Sequence, residues 1–145
     1  MNNSNFITFD IQKYWKPVKK YGNFDFTHEY RILVPLNEGA EERMYRYQLY
    51  DEKGVSTEFM CLEFREDTYY IMDDFFFIPF NNRFELIITA EEEEVIYTDQ
   101  LDDAKELVKS ILDNTDDAAV TDFGNILLKM IITAQEHNTV VGFYF

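Results

Sequence analysis

The run NFDFTHEYRILVPL, residues 23–36, constrains the fold more than any other stretch of the chain. Phe24, Phe26, Tyr30, Ile32, Val34 and Leu36 all fall on even positions, with Asp25, Thr27, Glu29 and Arg31 between them. Successive side chains of an extended chain point to opposite faces, so the alternation describes a strand with one apolar and one polar face. His28 takes a core-face position on that strand. Leu33 and Pro35 break the polar face near its end, and Pro35 points to an edge strand or a bend.

Further strand signals follow. NEGAEE (37–42) reads as a turn, and RMYRYQLY (43–50) as a strand with Tyr45, Tyr47 and Leu49 on one face. DEKG (51–54) is a strong turn signal. STEFMCLEFRE (56–66) returns with Met60, Leu62 and Phe64 on one side and Glu63 and Arg65 on the other. DTYYIMDDFFFIPF (67–80) carries aromatics on both faces and reads as a central or doubly covered strand. After a turn at 79–83, RFELIITA (83–90) aligns Phe84, Leu86, Ile88 and Ala90, and VIYT (95–98) is a short strand.

The period then changes. Leu101, Ala104, Leu107, Val108, Ile111 and Leu112 recur every three to four residues, one stripe of a helix. Asp99 suits its N-cap, and Asp102 and Asp103 suit the positive end of its dipole. A second helix begins at Thr115 or Asp116, with Val120, Phe123, Leu127, Met130 and Ala134 as its stripe. TVVGFYF (139–145) reads as a terminal strand with its aromatic end tucked in. DIQKYWKPVKKYG (10–22) reads as a short helix interrupted at Pro17. The expected fold is α+β: an antiparallel β-meander of about five to seven strands, packed with two C-terminal helices and a short terminal strand. At 145 residues, without linker or repeat, residues 1–145 read as one globular domain.

Charge narrows the function. The chain is 46% hydrophobic and 17% aromatic, ample for a core, yet its formal net charge is −15. Residues 1–35 carry 5 basic and 3 acidic side chains, and residues 36–145 carry 8 basic and 25 acidic, a net −17. Such a body repels nucleic acid and anionic membranes and attracts basic surfaces. It also keeps a Phe- and Tyr-rich protein soluble. The N-terminus has neither a basic nor an apolar region of the signal-peptide kind, so a cytoplasmic location is expected.

Chemistry is sparse. The lone Cys61 lies in a strand-like run and reads as a buried apolar residue. His28 and His137 belong to no zinc motif, and no nucleophile elbow or phosphate-binding glycine loop is present. Asp73 and Asp74 are a conceivable Mg²⁺ pair, but neighbouring residues on a strand point apart, so they are expected to end or bulge a strand. No cofactor and no metal are expected, and the chain does not read as an enzyme.

The glutamates Glu91, Glu92, Glu93 and Glu94 interrupt two β-prone segments. Glutamate is a poor strand former, so the run belongs at a hairpin tip or an exposed edge, where it discourages aggregation. With Asp99, Asp102, Asp103 and Glu106 it forms the expected partner-binding set, its carboxylate spacing imitating a nucleic-acid backbone and nearby aromatics acting as anchors. In size and composition, though not in any motif, the chain is similar to phage anti-defence proteins and to immunity proteins that neutralise nuclease toxins. The expectation is an acidic inhibitor that blocks a basic nucleic-acid-handling partner, of the anti-CRISPR or anti-restriction type. The alternatives are an immunity protein for a co-encoded toxin, a self-associating assembly protein and a Mg²⁺-dependent enzyme.

Overall fold

A computed structural model describes residues 5–14, 28–89 and 92–145. In chain order these form β1 (Phe6–Thr8), a 3-10 turn (Ile11–Lys13), β2 (Glu29–Pro35), α1 (Glu38–Tyr45), β3 (Tyr50–Asp51), β4 (Gly54–Val55) and β5 (Phe59–Arg65). Then come α2 (Glu66–Met72), a π turn (Asp73–Phe77), α3 (Ile78–Phe84) and β6 (Glu93–Ile96). A 3-10 turn (Thr98–Gln100), α4 (Leu101–Asp113), α5 (Ala118–His137) and β7 (Val141–Tyr144) complete them.

The main sheet has the order β1-β5-β2-β7-β6. β1 runs parallel to β5, and the other neighbours are antiparallel. The α+β class stands, but the antiparallel meander does not. The sheet is mixed, helices stand where several meander strands were expected, and β7 enters between β2 and β6. β2 is central, not an edge. Pro35 is its last residue, and β7 pairs only with Arg31, Ile32 and Leu33, so the missing N–H interrupts no bond to β7.

The sheet is covered on both faces. Tyr30, Ile32, Val34, Met60, Leu62, Phe64, Val141 and Phe143 form one face, buried with the residues of α2, α3, α4 and α5. Leu33, Phe59 and Cys61 form the other, buried with Ala40 and Met44 of α1 and with Leu49. That second layer explains Leu33 on the polar side of the alternation. Gly142 makes it possible: a Cβ there would stand 2.9 Å from Met44 Sδ. Where α1 ends, the same face turns polar. Arg31 there bonds Glu29 (2.8 Å), Glu63 (3.0 Å) and the Tyr50 hydroxyl (2.7 Å) of the β3–β4 hairpin. That hairpin confirms the DEKG turn, with Gly54 at φ 122.

Three expected features are corrected. Glu38–Tyr45, expected as a turn and the start of a strand, form α1, because the Asn37 side chain accepts from Ala40 N at 2.7 Å, Glu38 and Glu41 fill the first turn, and Ala40 and Met44 lie one turn apart on the buried side. The aromatic run 67–80 is helical. Tyr69, Met72, Phe76 and Phe80 are spaced three, four and four residues apart and buried, so its true period is helical. Pro79 is accommodated by the π turn before it, in which Ile78 N–H bonds Asp73 O. Residues 83–90 are no strand either. α3 ends at Glu85 (φ 55), and the Asn81 side chain clamps Ile88, accepting from its N (2.7 Å) and donating to its O (3.2 Å).

α4 and α5 form close to expectation. All five residues of the predicted α5 stripe are buried. Asp117 caps α5, accepting from Ala119 N (2.8 Å) and Val120 N (3.1 Å). Asp99 does not cap α4; it sits in the 3-10 turn ahead of it. The predicted terminal strand is β7, and Phe145 beyond it is buried against Phe77 (5.1 Å between ring centres). Of the interrupted helix at 10–22, Ile11–Lys13 form the 3-10 turn, and residues 15–22 lie outside the described residues, as do Phe24 and Phe26.

Candidate functional site

The outer strand on the β7 side of the sheet is β6, and the glutamates lead into it. Val95 and Ile96 supply the β-branched residues that form the strand. Pairing aligns Glu93 with Tyr144 and Glu94 with Phe143. Glu93 and Val95 therefore project to the α1 side of the sheet, and Glu94 and Ile96 to the side of the larger helical layer. The run does not make a hairpin tip; Glu93 and Glu94 are strand residues on the sheet's margin. Glu92 is exposed just before them, and Glu91 lies outside the described residues.

Beside this margin runs a shallow groove of about 370 Å³. Glu93, Glu94 and Val95 line it together with Tyr45, Tyr47, Tyr97, Tyr144, Phe84, Leu86 and Gln100. Tyr45 closes α1, Tyr47 follows in the next turn, Tyr97 follows β6 directly and Tyr144 lies in β7. Tyr47 is 62% exposed and Tyr97 54%, exposures that leave these rings available for contact. Tyr47 also has φ 60, a left-handed backbone unusual for a bulky residue. That conformation carries its hydroxyl onto the Glu93 carboxylate. Its ring meets Tyr144 edge-on at 6.4 Å. The Tyr144 hydroxyl donates to Met44 O (3.1 Å), and the Tyr45 hydroxyl donates to Glu41 (3.2 Å).

The electrostatics agree with this geometry. Burial, then the Glu41 carboxylate, pushes the Tyr45 phenol up to about 12. The hydrogen bond to Glu93 raises Tyr47, and burial followed by Glu93 raises Tyr144. The phenols stay protonated donors at neutral pH. Among the described residues, none of Glu92, Glu93, Glu94 and Asp99 has a lysine or arginine in ion-pair contact.

The acidic residues of α4 differ. Asp103 is held by Arg83 at 2.6 and 2.9 Å, and that hydrogen bond keeps its carboxyl below the ordinary range. Asp102 accepts from Gln135 (2.6 Å) and lies 3.7 Å from Lys105; Glu106 lies 3.8 Å from Lys109. The structure thus divides the expected set: Glu93 and Glu94 share the groove, whereas Asp102, Asp103 and Glu106 have partners of their own on the helical layer. The four tyrosines are the residues that sequence reasoning missed. Tyr45 and Tyr47 stand out in the sequence, but as members of a strand.

Other chemistry-bearing residues fall elsewhere. Asp73 and Asp74 sit in the π turn, where burial and then Asp74 raise the Asp73 carboxyl. Among the described residues, no group of three or more His, Cys, Asp and Glu is placed to hold a metal ion. Cys61 is buried, and burial pushes its thiol up to about 12. His28 packs edge-on to Tyr30 at 4.6 Å, and His137 Nδ1 lies 2.9 Å from Thr133 O. Among the described residues, no helix is long and apolar enough to cross a membrane. Compared with known proteins, the chain matches no family model, no curated protein and no solved structure.

Proposed function

We propose that this chain is an inhibitory binding protein, and that the groove along β6 is the surface with which it occupies a basic site on a nucleic-acid-handling partner. The observation that carries this reading is the convergence of Tyr45, Tyr47, Tyr97 and Tyr144 on Glu93 and Glu94 along β6, the outer strand of the sheet among the described residues. Tyrosine is over-represented at interface hot spots because one ring supplies large contact area and a hydrogen bond. Among the described residues, Glu93 and Glu94 have no lysine or arginine partner, which leaves their charge to meet a partner's cations. The net −17 on residues 36–145 supplies the long-range attraction that accelerates such encounters and makes them salt-sensitive. Inhibition follows from occupancy: a basic surface covered by carboxylates and tyrosines no longer accepts phosphates.

The test is affinity capture from a lysate of the native host, washed at low and high salt, followed by binding measurements on the captured protein. A charge pair at about 4 Å in water is worth roughly 1 kcal/mol, so reversing one carboxylate costs about 2 kcal/mol at low salt, roughly 30-fold in affinity. Glu93→Lys and Glu94→Lys should each show a loss of that order. Glu106→Lys, on a helix where Lys109 already neutralises it, should show much less. Nucleic acid should compete with the inhibitor for the captured protein. Affinity indifferent to salt and to both groove reversals would refute the reading.

A further inference from the structure

The backbone of β6 carries information beyond its side chains. In an antiparallel pair, residues whose main-chain groups face the neighbour alternate with residues whose groups face away. Phe145 N donates to Glu92 O at 3.4 Å, and Glu94 is paired with Phe143 two residues on. Glu92, Glu94 and Ile96 therefore face β7, and the N–H and C=O of Glu93 and Val95 face outward. Tyr97, next in the same alternation, is satisfied locally: its N donates to Gln100 Oε1 (3.0 Å) and its O accepts from Gln100 N (2.8 Å). Among the described residues, none bonds the outward groups of Glu93 and Val95. Residues two apart on a strand are about 6.6–6.8 Å apart, so these two donors and two acceptors have the repeat of a strand's ladder.

Charge decides what fits. A second copy pairing through its own β6 would bring glutamates of one chain against those of the other, which is destabilising. An extended segment bearing lysine or arginine meets the opposite situation. On the α1 side its side chains reach Glu93 between Tyr47 and Tyr144, where a cation finds a carboxylate and aromatic faces together. On the other side they reach Glu94 beside Phe84 and Leu86.

We propose that β6 is a strand-addition site for an extended, lysine- or arginine-bearing segment of the partner. This rests on the acidic-surface reading above and specifies its binding mode: main-chain bonds to Glu93 and Val95 hold the segment, and alternate basic side chains set its register.

Three probes test this on the isotope-labelled protein by NMR titration. They are an alternating Lys–Val peptide, the same peptide N-methylated on the face that would meet β6, and a helix-forming Lys–Ala peptide of equal charge. The expected result is binding of the first with selective shifts at the Glu93 and Val95 amides, and at least about tenfold weaker binding of the other two. Val95→Pro removes an outward N–H without touching the bonds to β7 or the charge, and should cost the Lys–Val peptide about tenfold or more. Equal binding of all three peptides, or of the Lys–Val peptide to Val95→Pro, would overturn strand addition, as would no binding of that peptide. If Val95→Pro does not fold, the N-methylated peptide against the parent protein decides. The acidic-surface reading fails separately, through the captured partner's indifference to Glu93→Lys and Glu94→Lys.

Discussion

Gly124 offers a quantitative test of how tightly the helical layer is packed. It is buried in α5, and a Cβ added to it would stand 2.6 Å from Leu112 Cδ2 and 2.9 Å from Phe76 Cζ. In an unobstructed helix interior, alanine is more favourable than glycine by about 1 kcal/mol. Here that gain is opposed by overpacking, which costs about 1–3 kcal/mol. Phe76 is fully buried and packs on Phe123 at 5.7 Å, so its ring has no room to retreat. Leu112 is half-buried and must swing outward instead. The balance predicts that Gly124→Ala destabilises the protein by about 1 kcal/mol, the reverse of its helix propensity. In urea denaturation followed by far-UV circular dichroism, the midpoint should fall with an unchanged slope. Leu112→Ala removes the obstructing methyls, so the double variant should lose less stability than the sum of the singles, with a coupling of about 1 kcal/mol. A stabilised Gly124→Ala, or strictly additive losses, would refute the close contact of α4, α5 and the π turn at this point.

Phe77 lies within ring-contact distance of Phe64, Tyr69, Phe123, Phe143 and Phe145; Phe77→Ala should cost about 3–5 kcal/mol in the same denaturation assay. The buried Cys61 thiol, with its proton held up to about 12, should resist a disulfide-exchange reagent at neutral pH and react at the rate of unfolding, so immediate labelling of the native protein would contradict its placement. Asp73 is raised by burial and by Asp74. A carboxyl raised on folding holds its proton more tightly in the native state, so its contribution to stability declines as pH rises from the unfolded value through the native one. Asp73→Asn should therefore melt higher than the parent at neutral pH, and the difference should vanish at acid pH; a difference independent of pH would show that the charge is not its source.

Local patterns in the sequence proved legible wherever one partner face dictated them. The even-position alternation of Tyr30, Ile32 and Val34 and the α5 stripe from Val120 to Ala134 fall on the elements they predict, because each meets a single packed layer. The reading failed where composition overrode spacing. Between residues 67 and 80, tyrosine and phenylalanine suggest a strand, while their positions follow a helix. Gly39 and the glutamates around it suggest a turn, while Asn37 supplies a helix cap. For the candidate site, the marginal placement of Glu92–Glu94 was readable from the poor strand propensity of glutamate. The tyrosines were not. Tyr47 and Tyr144 meet Glu93 only because β7 places itself beside β6, and no local spacing encodes that strand order.

The position of β7 also has a consequence for biosynthesis. It joins β2 to β6, with Phe143 paired to Ile32 across about 110 residues of intervening chain. Until the ribosome has extruded residues 141–144, β6 lacks its neighbour, and β2 exposes one full flank of unpaired amides. A nascent chain stalled before that point keeps this flank open to other chains and to chaperones. The sheet therefore closes only after β7 has left the exit tunnel.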